Sequence, residues 1–100
     1  VRLEYSPQAV ADIRAAHVWW RENRIAARAM FRDELNQARR ILATVPWQGV
    51  PARDVTRGSV RRLLLSKTQY LLYYEVDEGR GAVLVLRLWH TRRGGPPRLP

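Results

Sequence analysis

The sequence predicts an α+β domain in the order β-α-α-β-β-β, with a helix hairpin packed on one face of a small, twisted, mainly antiparallel sheet. Three observations predict it. The chain opens on a short alternating segment, VRLEY. Two long stretches then carry apolar residues at helical spacing. Three apolar runs follow, separated by turn-forming residues.

In the opening segment Val1, Leu3 and Tyr5 alternate with Arg2 and Glu4, the pattern of a half-buried strand. Ser6-Pro7 reads as a helix N-cap followed by proline at the first helical position. Val10, Ile13, His17 and Trp20 then recur on one helical face, with Ala16 filling it. Trp19 lies about 100° around the helix from Trp20, at the edge of that stripe. Asn23 and Arg24 interrupt the pattern. A second helix runs over residues 25–45, striped by Ala27, Phe31, Leu35, Ala38, Leu42 and Val45, with Arg28, Arg32, Arg39 and Arg40 on its other side. So short a link makes the two helices an antiparallel hairpin.

Residues 45–59 hold Pro46, Gly49, Pro51 and Gly58 and read as a loop. Strands are expected at 60–66, 70–76 and 82–89, the last two joined by the turn at residues 77–81. Residues 1–93 form one domain, and residues 94–100 are expected to be a flexible tail. Both faces of the last strands are apolar. Tyr70, Leu72, Tyr74 and Val76 share one face, with Leu71 and Tyr73 opposite. Simple alternation puts Leu84, Leu86 and Leu88 on one side of the last strand. Val83, Val85 and Trp89 fall on the other, interrupted by Arg87. A helix hairpin covers one face only. The second needs a cover, either a partner or the loop at 45–59 and the tail.

Composition bounds the function. One hundred residues, 46% hydrophobic and 27% charged, suffice for one folded domain with one modest core. No apolar run approaches the roughly 20 residues of a membrane span, and no signal-peptide pattern opens the chain, so a cytoplasmic location is expected. The absence of cysteine excludes disulfides and thiolate metal sites. The net charge is +9. Residues 1–45 carry eight Lys/Arg against five Asp/Glu, and residues 46–100 carry ten against four. The excess in the second half points to an acidic protein or a nucleic acid as partner. Lys67 is the only lysine among 18 basic residues. Arginine's planar fork suits carboxylate and phosphate, although a GC-rich genome produces the same bias.

The residues that could carry chemistry gather at the ends of strands. His90, Arg92 and Arg93 follow the last apolar strand. His90 reads as a partly buried, backbone-bonded histidine, a proton-transfer group or a partner contact. His17 reads as a core residue. Two histidines without nearby carboxylates make no metal set, and no cofactor is implied. Arg61 and Arg62 are adjacent on a strand and so point to opposite faces, one of them solvated or paired with Asp33 or Glu34. Of four indoles, Trp20 is expected in the core and Trp47 packing the loop onto the hairpin. Trp19 and Trp89 are expected on an interaction surface.

Three stretches carry a resemblance. SPQAVADI, AARAMFRDELNQARRILATVPWQGVP and RRLLLSKTQYLLYYEVDEGRGAVLVLRLWHTRR, together spanning Leu3 to Arg93 in order, resemble the ParE/RelE toxin superfamily of bacterial type II toxin–antitoxin systems. The resemblance implies a small twisted sheet with a helix hairpin on it. It also implies an antitoxin whose acidic C-terminal segment wraps the toxin, forming a hetero-oligomer. Residues Trp19, Leu71, Tyr73, Val83, Val85, Arg87 and Trp89 are the expected antitoxin surface.

Two branches imply two chemistries. RelE-like members cleave messenger RNA on the ribosome, which requires proton transfer and cations around a phosphate. Arg61, Arg62, His90 and Arg93 are the residues that match such a site, with Arg92 beside them. The lysines that usually precede the second strand are replaced by Arg53 and Arg57, and no tyrosine follows Arg93. ParE-like members bind DNA gyrase and trap it on cut DNA without known catalytic residues. The ending His90-x-x-Arg93 and the opening Ser6-Pro7-x-Ala9 are similar to that branch. The expectation is a ParE-like gyrase inhibitor. The alternatives are a RelE-like endoribonuclease acting on ribosome-bound mRNA, and a partner-binding relic without toxicity.

Overall fold

A computed structural model describes residues 1–100. Strand β1 (Arg2–Tyr5) leads into helix α1 (Pro7–Asn23). A single 3₁₀ turn at Ile25–Ala27 separates it from helix α2 (Ala29–Thr44). Strands β2 (Val50–Pro51), β3 (Arg61–Leu65), β4 (Tyr70–Asp77) and β5 (Ala82–His90) complete the chain. The sheet order is β1-β5-β4-β3-β2, with β1 parallel to β5 and every other pair antiparallel. This is the α+β layout that the sequence predicts, plus β2. That edge strand is two residues long and pairs Val50 with Arg62 and Pro51 with Arg61 inside the expected loop.

The helix hairpin forms as its stripes dictate. Ser6 is the N-cap of α1: its Oγ accepts the Ala9 N–H at 3.0 Å and donates to the Leu86 carbonyl at 2.7 Å. Ala9, Ile13, Ala16 and Trp20 of α1 and Phe31, Leu35, Ala38 and Leu42 of α2 are buried against Leu65, Leu72, Tyr74, Val83, Val85 and Leu88 of the sheet. His17 is partly buried, with its ring edge-on to Phe31 at 5.0 Å.

The phase of β5 differs from simple alternation. Tyr73 pairs with Arg87 and Tyr74 with Val85, so Leu86 is an extra residue, a β-bulge. Ahead of the bulge Val83 and Val85 face the helices; beyond it Leu88 does. Leu86 belongs to a second core on the opposite face, with Ala52, Val60 and Tyr73 and with Leu71, Leu84 and Trp89 packed against it. Val83 and Val85 therefore do not share a face with Trp89, and Leu88 does not share one with Leu84 and Leu86. The bulged carbonyl is the one that Ser6 holds, so helix entry and bulge are fixed together.

The second face is covered by the chain itself. Val55 of the loop and Leu99 pack on that smaller core. Arg57 binds Glu75 at 3.1 Å and the Pro100 carbonyl at 3.1 Å, and Ser59 also binds Glu75. Arg87 donates to the Arg98 carbonyl at 2.7 Å and Trp89 Nε1 to the Gly95 carbonyl at 3.1 Å. No helix is long and apolar enough to cross a membrane.

Candidate functional site

The strand-end histidine and arginines meet other elements at one end of the sheet. Three segments frame an open cleft of about 600 Å³. The last turn of α1 contributes Trp19, Trp20 and Arg24. The β3–β4 turn contributes Lys67, Thr68 and Gln69, with Tyr70 behind. The end of β5 contributes His90, Arg92 and Arg93.

Each wall is held from below. The Glu34 carboxylate of α2 accepts the N–H of Lys67 at 2.7 Å, and the N–H and hydroxyl of Thr68 at 2.9 and 2.6 Å. Those bonds fix the β3–β4 turn onto the hairpin, and they are why Glu34 pairs with no arginine. Gln69 takes the left-handed conformation, φ 64°, and its carbonyl accepts the Thr91 N–H at 2.9 Å, tying the turn to the end of β5. His90 Nδ1 accepts the Arg92 N–H at 3.1 Å, and its ring stands edge-on to Tyr70 at 4.9 Å. Burial lowers the His90 pKa below the ordinary histidine value, and the Arg92 charge lowers it further; a backbone bond to Thr68 opposes both. The imidazole is thus neutral near pH 7. Burial raises the Tyr70 phenol, against a smaller opposing effect of the Trp20 indole.

The cleft is rich in donors. None of its lining residues is acidic. Arg24, Lys67, Arg92 and Arg93 form no ion pair with any carboxylate. Trp20 is 8% exposed, and its Nε1 has no hydrogen-bond partner. The Trp20 N–H acts on the Tyr70 phenol but not with the geometry of a hydrogen bond.

Residues matched to a nuclease site do not converge here. Arg61 pairs with Tyr74 and lies on the helix side, where its guanidinium binds the carbonyls of Gly49 at 2.6 Å and Trp47 at 3.2 Å. Trp47 stacks over that guanidinium at 5.4 Å and is 49% exposed, rather than packing the loop onto the hairpin. Arg62 lies on the opposite face, bound to Asp54 at 3.1 Å, and Asp54 also accepts the Tyr73 hydroxyl at 2.7 Å. The expected Asp33 or Glu34 pairing does not form for either arginine; Asp33 meets Arg32 instead. His90 is at the far end of β5, paired with Tyr70 rather than with Tyr73 or Tyr74. Arg93 lies 3.6 Å over the Trp89 ring.

The expected antitoxin surface divides three ways. Val83 and Val85 are buried beneath the helices, and Tyr73 is buried beneath the loop. Arg87 is held by Asp12 of α1 at 2.7 and 3.0 Å, while Asp12 also accepts the Leu88 N–H at 3.0 Å, beyond the stretch of β5 that β1 pairs with. Leu71 and Trp89 remain partly accessible on the outer face, and Trp19, 45% exposed, stands at the cleft. Sequence reasoning missed Leu64, 49% exposed opposite Leu71, and the turn at Lys67–Gln69. The signal for the turn was the chain's single lysine between two strands.

Against known proteins, the family model described as the ParE toxin of the type II toxin–antitoxin system parDE matches residues 3–95. The chain belongs to the ParE toxin family. Its fold is similar to a structure of the chromosomal ParDE toxin–antitoxin system from P. aeruginosa, with a TM-score of 0.68 and 19% identity over 90% of this chain and 95% of that one. It is also similar to the isolated E. coli RelE toxin, with a TM-score of 0.57 and 17% identity over 93% and 86% of the two chains. These likenesses show the fold that the ParE family member shares with both branches. No curated protein sequence matches it.

Proposed function

We propose that this ParE-family chain is a toxin held inactive by a cognate antitoxin, and that, once free, it binds DNA gyrase and halts replication. The observation that carries the choice of target is the dispersal of Arg61, Arg62 and His90. Cleavage of RNA requires a base, an acid and cations around one phosphate. Here the two strand arginines face opposite ways and are engaged with Gly49 and Asp54. Family membership supports the same side of the choice.

For the antitoxin, the outer strip of Leu64, Leu71 and Trp89 is the apolar surface left on the sheet beside the loop and residues 95–100. Arg87 and Arg93 flank Trp89 at 5.1 and 3.6 Å, so an acidic segment there would meet an indole between two cations. Such an antitoxin would also offset the +9 charge.

The test is pulse labelling of DNA and protein synthesis just after induction without the antitoxin. The gyrase reading expects thymidine incorporation to fall first with translation intact, and gyrase variants that escape. Amino-acid incorporation falling first would replace it with the ribonuclease reading. No growth arrest would leave a partner-binding relic.

A further inference from the structure

The end cleft has properties that the outer apolar strip does not share. Its charged side chains are all cations, and Arg24, Lys67 and Arg92 are exposed and without an ion pair. Arg93 closes the outer wall against Trp89. Elsewhere four acidic residues take up arginines: Asp54 holds Arg62, Glu75 holds Arg57, Glu4 holds Arg80 and Asp12 holds Arg87. Glu34, below the cleft, is turned inward onto the Lys67 and Thr68 N–H groups, and Glu22, in the last turn of α1, is not among the lining residues. The carbonyls that end α1 are occupied too, Trp19 O by the Asn23 amide at 2.9 Å and Trp20 O by the Arg24 N–H at 3.0 Å.

Two further features narrow the ligand. Trp20 Nε1 is a buried donor that makes no hydrogen bond of proper geometry, its influence falling on the Tyr70 phenol, and Trp20 lines the cleft. A lone buried N–H is costly unless something accepts from it. Trp19 stands edge-on to Trp20 at 5.6 Å and is 45% exposed, with Arg24 at 5.9 Å from its ring. An accessible indole beside guanidinium groups is a stacking surface for a planar ring. About 600 Å³ is within the size range of small-ligand sites.

We propose that this cleft binds a nucleoside phosphate, presented as a free nucleotide or as the phosphorylated end of a single strand. The phosphoryl oxygens accept from Lys67, Arg92 and the Trp20 N–H, and the base lies against Trp19. A phosphate dianion offers acceptors only, which matches a lining whose charged groups only donate. An acidic peptide brings its own backbone donors and leaves Trp19 without a ring to stack on. The assignment does not rest on gyrase being the target.

The test uses the indole N–H signals in the nuclear magnetic resonance spectrum of the full chain, with Trp20 assigned through Trp20→Phe. Thymidine 5′-monophosphate should move the Trp20 signal downfield to saturation and leave Trp47 in place. Lys67→Ala and Arg92→Ala should each weaken binding about tenfold, with the melting temperature unchanged because both residues are exposed. Trp19→Ala should weaken binding of the nucleotide but not of inorganic phosphate. Equal affinity for the nucleotide and a 5′-phosphorylated tetrathymidylate supports a free nucleotide. Tighter binding of the phosphorylated oligomer than of both its unphosphorylated form and the nucleotide supports a strand end. The proposal is overturned if Trp20 moves with neither, if inorganic phosphate binds as tightly as the nucleotide, or if a glutamate-rich peptide binds more tightly than either.

Discussion

Replacing Asp12 with alanine removes one carboxylate and strands three donors. Asp12 accepts Arg87 Nε at 2.7 Å, Arg87 Nη2 at 3.0 Å and the Leu88 N–H at 3.0 Å. Its side chain is 13% exposed and that of Arg87 is 15% exposed, so water replaces little of this. Breaking one side of a buried ion pair costs about 3–5 kcal/mol. Arg87 keeps the Arg98 carbonyl, which places the loss at the lower end, about 3 kcal/mol. For a chain of this length that is a fall in melting temperature of roughly 12 °C or more. Urea titrations of the wild type, Asp12→Ala, Arg87→Met and the double variant, followed by circular dichroism, measure it. Arg87→Met removes the buried charge, so the double variant should lose less than the sum of the two. A loss below about 1 kcal/mol for Asp12→Ala, or strict additivity, would refute the reasoning.

Four other outcomes are expected. Ser6→Ala removes both the cap on Ala9 and the bond to the Leu86 carbonyl, and should cost about 1–2 kcal/mol of unfolding free energy, read from a denaturant titration. A Cβ on Gly49 would sit 2.6 Å from both the Arg62 carbonyl and the Tyr74 hydroxyl, so Gly49→Ala should cost about 2 kcal/mol or more, measured by thermal melting. Burial and the Asp54 bond push the Tyr73 phenol up to about 12. Its folded pKa is above the unfolded one, so its contribution is complete below pH 10 and is lost as pH rises through 12. The loss should reach about 2 kcal/mol by pH 12, and be clearly smaller in Tyr73→Phe, where only the Tyr70 phenol keeps a raised value. His17 and His90 have lowered values, chiefly through burial, so stability should decline as pH falls below about 6.5. Melting at pH 7.5 and 5.5 checks the direction.

The elements legible in the sequence are those whose signals are local. Ser6-Pro7 marks the start of α1 because a cap and a ring-fixed φ act within one turn. The helix stripes are read from spacing alone, and the opposite facing of Arg61 and Arg62 follows from the pleat. What the sequence hides depends on distant pairing. The β5 bulge leaves no trace in LVLRL, because apolar residues occupy both faces there, so one extra residue changes no pattern. Strand β2 is two residues with a proline, too short to alternate. Arginine partners are not legible, because Asp12 and Arg87 are 75 residues apart and Asp54 lies in a stretch whose only signal is that of a loop. The cleft is assembled from segments near residues 19–24, 67–70 and 90–93, which meet only after the sheet has closed.

Strand β5 follows every other element in the chain, yet it lies inside the sheet, between β1 and β4. The first strand made therefore waits for the last before it has a neighbour. During synthesis, α1 and α2 emerge with an apolar stripe and only β3, β4 and the edge β2 to meet it; Val83, Val85 and Leu88 are still missing from the core. Pairings so distant in sequence close late and slowly. Whatever this chain does as a folded body, it begins to do only after residues 82–90 have left the ribosome, and the interval before that is one in which the proposed antitoxin, if already made, would be waiting.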